Sequence, residues 1–200
     1  MTGVVLFWVM LFITQALKPE YNSVKQSISD LAIGPYGWMQ TINFCLLALA
    51  AASIGCGLYF GMQNMRFRKT MLIFFLALSL GEIISAVFQV DLDKTHMTVS
   101  AFIHQAGAMI TAVAVPLAAL FLLPGLKANP RWKGLVNFTL AVAVSMLALD
   151  IAREALLFTD WMDSWFGVFE KTLLAIATVW IWVLGFRLWQ VNRNVTPNPV

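Results

Sequence analysis

Six apolar runs, each long enough or nearly long enough to cross a bilayer, constrain this chain more than any other feature. They cover residues about 2–17, 38–62, 70–90, 99–123, 135–157 and 165–188, and about 20 apolar residues span the roughly 30 Å of hydrocarbon. Only 12% of the residues are charged, which is about half the share in a soluble domain. Backbone groups in hydrocarbon must bond within their own segment, so such runs form helices. The sequence predicts an all-α polytopic membrane protein, with residues 1–200 forming a single domain and a bundle of six transmembrane helices.

The distribution of basic residues predicts how these helices are oriented. The 62–70 and 124–134 connections, together with the end of the sixth run and its tail, hold eight Lys and Arg, whereas the opposite loops hold three. By the positive-inside rule the basic side is cytoplasmic, so both termini and the tail 189–200 should lie in the cytoplasm. We expect a multi-pass protein of the cell (inner) membrane that contacts membrane lipids. Topology alone requires a basic inner rim, so nucleic-acid binding is not predicted.

Polar side chains recur at a similar depth in five of the predicted helices, roughly 8–12 Å below the outer surface at about 1.5 Å per residue. Inserting a charge at a helix centre costs about 2.5–3.5 kcal/mol, so we expect these side chains to face the bundle interior. On the fifth helix Arg153 can bridge the carboxylates of Asp150 and Glu154. Lys171, on the sixth helix, is an available counter-ion for these three residues, whose net charge is negative. Glu170 lies at the same depth. The expected pocket residues are Asn43, Glu82, Gln89, His104, Asp150, Arg153, Glu154 and Lys171.

Two interpretations of this polar layer stay open. It is either a buried ion-pair network that locks the helices together, or a ligand or catalytic pocket that opens to the outside. Between the layer and the inner ends, the third to fifth helices are mainly apolar, which argues against a continuous polar path.

The first outer loop contains NSVKQSISDLAI at residues 22–33. Its apolar residues recur at i, i+4, i+7 and i+8, which is the spacing of one helical face. Asn22 can cap such a helix, and Gly34-Pro35 ends it. We therefore predict a short interfacial helix, lying on the membrane or folded over the bundle as a lid. Ser27-x-x-Asp30 also has the form of a capping box, so local hydrogen bonding is the alternative for these residues.

Ser29, Asp30, Asp91 and His104 are the candidate catalytic residues. Serine, carboxylate and histidine are the side chains used in nucleophilic or metal-assisted hydrolysis. The sequence leaves open whether the protein is an enzyme. We expect no cofactor, with a zinc site formed by His96, His104 and Asp91 as the alternative, since three protein ligands suit a catalytic zinc ion.

Small residues recur at every fourth position of the second run, at Ser53, Gly57 and Gly61. Such a ridge allows close helix packing, either within the bundle or between two copies in a homodimer.

The segments LKPEYNSVKQSISDLAIGPYGWMQTINF and FQVDLDKTHMTVSAFIHQAGA resemble an uncharacterised bacterial and archaeal membrane family, domain of unknown function 998. The matching positions are Pro19, Tyr21, Ser29, Asp30, Leu31, Phe88, Asp91 and His104. The resemblance implies a six-helix integral membrane protein and brings no established reaction. The chain is also weakly similar to the alkaline-ceramidase and adiponectin-receptor class of hydrolases, which combine a serine, an aspartate and three zinc-bound histidines. That pattern is broken here because the chain has only two histidines.

The function that these observations favour is the binding or processing of a lipid or small amphiphile in an outward-facing polar pocket. One alternative is a proton- or ion-coupled carrier that uses the same intramembrane charges. A further alternative is a structural partner subunit whose buried charges only hold its helices together.

Overall fold

A computed structural model describes residues 2–91 and 96–193, and all regular structure within these ranges is helical. Its six α-helices are α1 (Thr2–Ala16), α2 (Gly37–Gly61), α3 (Arg68–Val87), α4 (Val99–Ala128), α5 (Val136–Leu156) and α6 (Asp160–Arg193). Two short 3-10 helices, Ile28–Ala32 and Lys133–Leu135, lie between them. Helices α2 to α6 are long and apolar enough to cross a membrane. Helix α1 has 15 residues, or roughly 22 Å at 1.5 Å per residue.

The apolar runs locate the helices, but α4 and α6 are longer than predicted. Helix α4 continues through Pro124 to Ala128, since a proline removes only one backbone donor and its neighbours can keep the helix intact. Helix α6 begins at Asp160 rather than near residue 165, with acidic residues in its first turn, where the helix dipole favours them. Of the predicted cytoplasmic tail 189–200, residues 189–193 belong to α6 and the others lie outside the described residues.

The main hydrophobic core contains residues from each of the helices α2, α3, α4, α5 and α6. It is rich in small side chains, which let these helices approach closely. Phe75 of α3 stacks on Trp180 of α6, with ring centroids 5.5 Å apart. The small-residue ridge of α2 contributes to this packing. A Cβ on Gly57 would lie 3.0 Å from Leu188 of α6, whereas Ser53 is exposed. The two glycines of the ridge therefore face α6 within the same chain.

The predicted amphipathic helix over residues 22–33 is wrong. Asn22 caps a single turn, and the chain then forms a 3-10 helix of five residues, Ile28–Ala32. Ser27 and Asp30 make the reciprocal capping box, so the alternative of local hydrogen bonding is confirmed. Such side-chain bonds compete with a longer helix. Gly34, at φ 93°, ends the segment.

This segment descends into the bundle instead of lying on its surface. All five residues of the 3-10 helix are buried. Ile28 and Leu31 belong to a second, smaller apolar cluster that they form with residues of α1 and α2. The first loop therefore contributes side chains to the interior.

The C-terminal half of α5 stands away from the core. Its buried residues end at Met146, and no residue from 147 to 156 is buried. The N-terminal half of α5, by contrast, packs Val142 and Ala143 into the main core. On this half of α5, Asp150 and Arg153 line a cavity together with residues of α4 and α6.

Candidate functional site

Two adjoining cavities lie between the first loop and the helices, at the end of the bundle where α3 ends and α4 begins. We call the deeper one, of about 140 Å³, the inner cavity, and the other, of about 280 Å³, the outer cavity. Six residues line both and so form a shared wall: Ser29, His104, Ala108, Arg153, Glu170 and Leu173. Any molecule that passes from one cavity to the other must pass this wall.

The inner cavity is polar near the shared wall and apolar below it. Glu82, Ser85 and Asp150 surround its upper part, and its deeper part is lined by Leu78, Val115, Met146, Ala177 and Ile181. On each helix these residues recur at helical spacing, such as 78, 82 and 85 on α3, so one stripe of every helix faces the same space. The inner cavity therefore joins a polar layer to a mainly apolar chamber, in which Thr178 is a polar lining residue.

The outer cavity lies toward the ends of the helices and reaches the protein surface. Asp30, Asp91, His96 and Met97 line it, and the side chains of His96 and Met97 are exposed. The outer cavity thus connects the shared wall to the protein surface.

At the shared wall, Ser29 and His104 are directly hydrogen-bonded. Nδ1 of His104 lies 2.7 Å from the carbonyl oxygen of Phe88, and Nε2 lies 2.9 Å from Oγ of Ser29. A carbonyl oxygen can only accept a hydrogen bond, so Nδ1 carries the proton in the neutral ring. Nε2 is then an acceptor, and the Ser29 hydroxyl donates to it. The pairing brings together two of the four predicted catalytic candidates.

The first loop holds Ser29 through several bonds that do not involve its side chain. Glu170 of α6 accepts the backbone N–H of Ile28 at 2.6 Å. Lys18 donates its Nζ to the carbonyl of Asp30 at 2.8 Å. The carboxylate of Asp30 accepts the N–H of Ser27 at 3.0 Å within the capping box. Asp30 therefore shapes the segment that carries Ser29.

A second set of contacts fixes the loop on α6. Nζ of Lys171 donates to the Tyr21 hydroxyl and to the Ser23 carbonyl, each at 2.9 Å. Burial, reinforced by the negative charge of Glu170, raises the pKa of Tyr21, so this hydroxyl keeps its proton and donates to a loop carbonyl. The backbone also approaches α6 at Gly167, where a Cβ would collide with the carbonyl oxygen of Gln26.

His104 is positioned by the start of α4. Asp91 accepts both the backbone N–H and the hydroxyl of Thr98, at 2.7 and 2.9 Å. The Thr98 hydroxyl in turn caps α4 by accepting the N–H of Ala101. His104 follows in the second turn of α4, with the ring of Phe44 edge-on at 6.1 Å. Asp91 thus lines the outer cavity and also stabilises the helix end that carries the histidine.

The predicted ion-pair arrangement on α5 needs correction. Arg153 pairs with Glu154 at 2.7 Å, and this is the one salt bridge within residues 2–91 and 96–193. Arg153 does not bridge the carboxylates of Asp150 and Glu154 as predicted, and Oδ1 of Asp150 is buried without a hydrogen-bond partner. Lys171 is not their counter-ion, since backbone carbonyls and Tyr21 occupy its ammonium group.

Several predicted pocket residues lie elsewhere. Asn43 is 0% exposed, but it bonds Gln40 in the helix packing and lines neither cavity. Gln89 is exposed, and its backbone N–H bonds Ser100. Glu154 is half exposed and lines neither cavity. Lys171 also lines neither cavity. Glu82, His104, Asp150 and Arg153 do line the inner cavity.

Glu170 is the main residue that the sequence analysis omitted from the pocket. It shares the predicted depth with Lys171, but adjacent residues on a helix point about 100° apart, so only one of the two can face the cavities. Glu170 lies on the same face of α6 as Leu173, Leu174 and Ala177, which also line the inner cavity. This spacing in the sequence indicates that Glu170, and not Lys171, faces the cavities.

The described residues do not assemble the zinc site formed by His96, His104 and Asp91. Within residues 2–91 and 96–193, no group of three or more His, Cys, Asp and Glu side chains is placed to hold a metal ion. Both ring nitrogens of His104 already have partners, Ser29 and Phe88.

Comparison with known proteins gives one match. The model of the family described as "Protein of unknown function (DUF998)" matches residues 1–187. Neither the curated proteins nor the solved structures contain a match to this chain.

Proposed function

We propose a function for this chain, which belongs to the protein family of unknown function DUF998, on the basis of its two adjoining cavities. The protein binds a lipid or small amphiphile whose apolar tail enters the inner cavity and whose head lies at the shared wall and in the outer cavity. The observation that carries the proposal is the change from polar to apolar lining along the inner cavity. An amphiphile has the same change of polarity along its length.

The placement in the membrane is part of the proposal. Helices α2 to α6 are long enough to cross, and α1 completes a six-span bundle of the inner membrane. The cavities lie near the C-terminal end of α3 and the start of α4, whereas Arg68, at the start of α3, and Arg131, after α4, lie at the opposite end of the bundle. With the basic end in the cytoplasm, both termini are cytoplasmic and the cavities open outward.

The size of the inner cavity limits the part of a tail that it can hold. An apolar cavity of about 150 Å³ in another protein binds benzene, so the inner cavity, at about 140 Å³, accommodates a segment of about six carbons. The rest of a longer tail can pass beside the outer half of α5, where no residue from 147 to 156 is buried. This gap gives a lipid a lateral entrance from the bilayer.

The charges around the inner cavity favour a neutral or cationic head. Glu82, Asp150 and Glu170 line it. Arg153, the one Lys or Arg among the described residues that line it, is already paired with Glu154. These carboxyl groups can form hydrogen bonds with a neutral head or pair with an ammonium group, whereas an anionic head would find only a guanidinium that is already paired. The mainly apolar floor supports a blind binding site over a carrier, because an ion would find few polar partners beyond Thr178 at the level of Ala177 and Ile181.

The experiment is to fill the inner cavity without changing its charges. Ala112 lines this cavity, so Ala112→Phe places a ring where the tail would lie. Val113, the next residue of α4, is 51% exposed, so Val113→Phe adds an aromatic ring outside the cavity and serves as the matched control. Both variants and the unmodified protein are purified in one detergent, and the molecules that co-purify are identified by mass spectrometry.

We expect the unmodified protein and Val113→Phe to retain the same amphiphile, and Ala112→Phe to lose at least nine-tenths of it. Thermal unfolding of both variants shows whether each is folded. Equal retention by two folded variants, or no retained amphiphile in any sample, would count against the proposal.

A further inference from the structure

We infer that Ser29 and His104 form a nucleophile and general base that hydrolyse an ester bond between the head and the tail of an acyl amphiphile. The inference rests on the proposed function for its substrate class, since it takes the bound molecule to be an acyl amphiphile. It assigns a reaction to the shared wall, and it assigns a separate role to each of the two side chains.

The geometry matches the requirement for an activated serine. A hydroxyl becomes nucleophilic when a base within hydrogen-bond reach accepts its proton and a third group orients that base. Nε2 of His104 lies 2.9 Å from the Ser29 hydroxyl, and the Phe88 carbonyl fixes the ring through Nδ1 at 2.7 Å. A backbone carbonyl here has the orienting role that a carboxylate has in the Ser-His-Asp triad.

The position of the pair in the cavities identifies the bond that it can reach. The tail of a bound amphiphile occupies the inner cavity and the head occupies the outer cavity, so the bond between them lies at the shared wall. Ser29 and His104 line both cavities. In an acyl amphiphile the bond at this place is the ester, whose carbonyl carbon is the electrophile that a serine attacks.

The hydroxyl of Ser29 is not needed to hold the loop. The Ile28 N–H bonds Glu170, the Asp30 carbonyl bonds Lys18, and Asp30 closes the capping box with Ser27. These bonds fix the backbone on both sides of Ser29. Its side chain therefore points at His104 from a segment that is already held in place.

The reaction proceeds in two steps with water as the second reactant. Oγ of Ser29 attacks the ester carbonyl carbon while its proton moves to Nε2 of His104. The ester C–O bond then breaks, and the leaving alcohol takes that proton. Water attacks the acyl-serine carbon and gives one proton to Nε2, the bond from the carbon to Oγ breaks, and Nε2 returns the proton to Oγ. The sum is ester plus water to carboxylic acid plus alcohol.

The test combines hydrolysis with labelling of the nucleophile. Purified protein is assayed with p-nitrophenyl acetate and p-nitrophenyl hexanoate, and separately treated with a decyl fluorophosphonate, which reacts with activated serines. The labelled residue is located by peptide mass spectrometry. The variants are Ser29→Ala and His104→Gln, and the control is Ser79→Ala, because Ser79 and Ser29 are both 8% exposed and Ser79 lines neither cavity.

We expect hydrolysis of the hexanoate ester by the unmodified protein and by Ser79→Ala, and labelling at Ser29. Ser29→Ala should lose hydrolysis and labelling, and His104→Gln should slow both by about 100-fold or more, the lower end of general-base contributions. Ser29→Ala should still retain the co-purified amphiphile, so loss of activity cannot be ascribed to misfolding. If Ser29 is only structural, the variants alter thermal stability and the unmodified protein hydrolyses neither ester.

The outcomes separate this inference from the proposed function. Retained amphiphile without hydrolysis or labelling overturns the inference and leaves the binding site standing. Hydrolysis of the acetate ester by the unmodified protein, with no amphiphile retained by Ser29→Ala, supports the catalytic pair and counts against the binding site. Labelling at a residue other than Ser29, or a labelling rate that is unchanged in folded His104→Gln, also overturns the inference.

Discussion

Replacing Glu170 with alanine removes the acceptor of the Ile28 N–H and should lower the free energy of unfolding by about 2 kcal/mol. The bond measures 2.6 Å and joins α6 to the residue before Ser29. Ile28 is 3% exposed, so the N–H left behind is largely shielded from bulk water.

The magnitude is the result of two opposing effects. A hydrogen bond to a charged group contributes about 1.5–3 kcal/mol, and an unsatisfied buried donor costs about 1–3 kcal/mol. Removing a buried carboxyl group also gives back its desolvation cost. Glu82 measures this second effect, since it lines the same cavity and its carboxyl group accepts no N–H comparable to that of Ile28 in the described part of the chain.

Thermal unfolding in one detergent, at one pH, compares alanine and glutamine variants at both positions. At about 2–4 °C per kcal/mol for a chain of this size, Glu170→Ala should unfold roughly 4–8 °C below the unmodified protein. Glu170→Gln should recover most of the loss, because its amide oxygen still accepts the N–H. Glu82→Ala and Glu82→Gln should be neutral or stabilising.

A Glu170→Ala variant as stable as the unmodified protein would refute this reasoning, since it would mean that water in the cavity replaces the carboxylate. A comparable loss in Glu82→Ala would also refute it, because the loss would then follow from removing a cavity-lining side chain.

Two further predictions concern the loop and the topology. Gly167→Ala should destabilise the protein by about 1–3 kcal/mol, as overpacking does, because the new Cβ meets carbonyl oxygens of the loop. The same change should reduce amphiphile retention. Gly134→Ala is the control in thermal unfolding, since a Cβ at Gly134 would meet nothing within 4 Å. Reporter fusions at Met65 and Pro130 should both be cytoplasmic, and an external signal from either would overturn the proposed orientation.

The helices and the depth of the polar layer could be predicted from the sequence because both depend on regular geometry. Hydropathy identifies an apolar run, and a constant rise per residue converts a count from its end into a depth. Glu82, His104 and Asp150 were found in this way, and all three line the inner cavity.

Rotation about a helix axis and the path of the first loop were harder to predict. Asn43 and Lys171 lie at the right depth and face other contacts, since depth does not fix the direction of a side chain. The loop pattern suggested one long helix, but the capping bonds of Ser27 and Asp30 start a separate 3-10 helix at Ile28, which has only five residues. The pairing of Ser29 with His104 spans 75 positions, so it depends on packing that no local pattern contains.

The two members of this pair are held by different parts of the bundle. Ser29 is on a loop fixed to α6 by Glu170 and Lys171, whereas His104 is fixed between α4 and the end of α3. A change in the tilt of α6 against α4 would therefore lengthen or shorten one hydrogen bond of 2.9 Å. Helices adjust their tilt when the hydrocarbon thickness changes. We therefore expect the length of this hydrogen bond to depend on bilayer thickness. Lipids of different chain length should change it without contacting either residue.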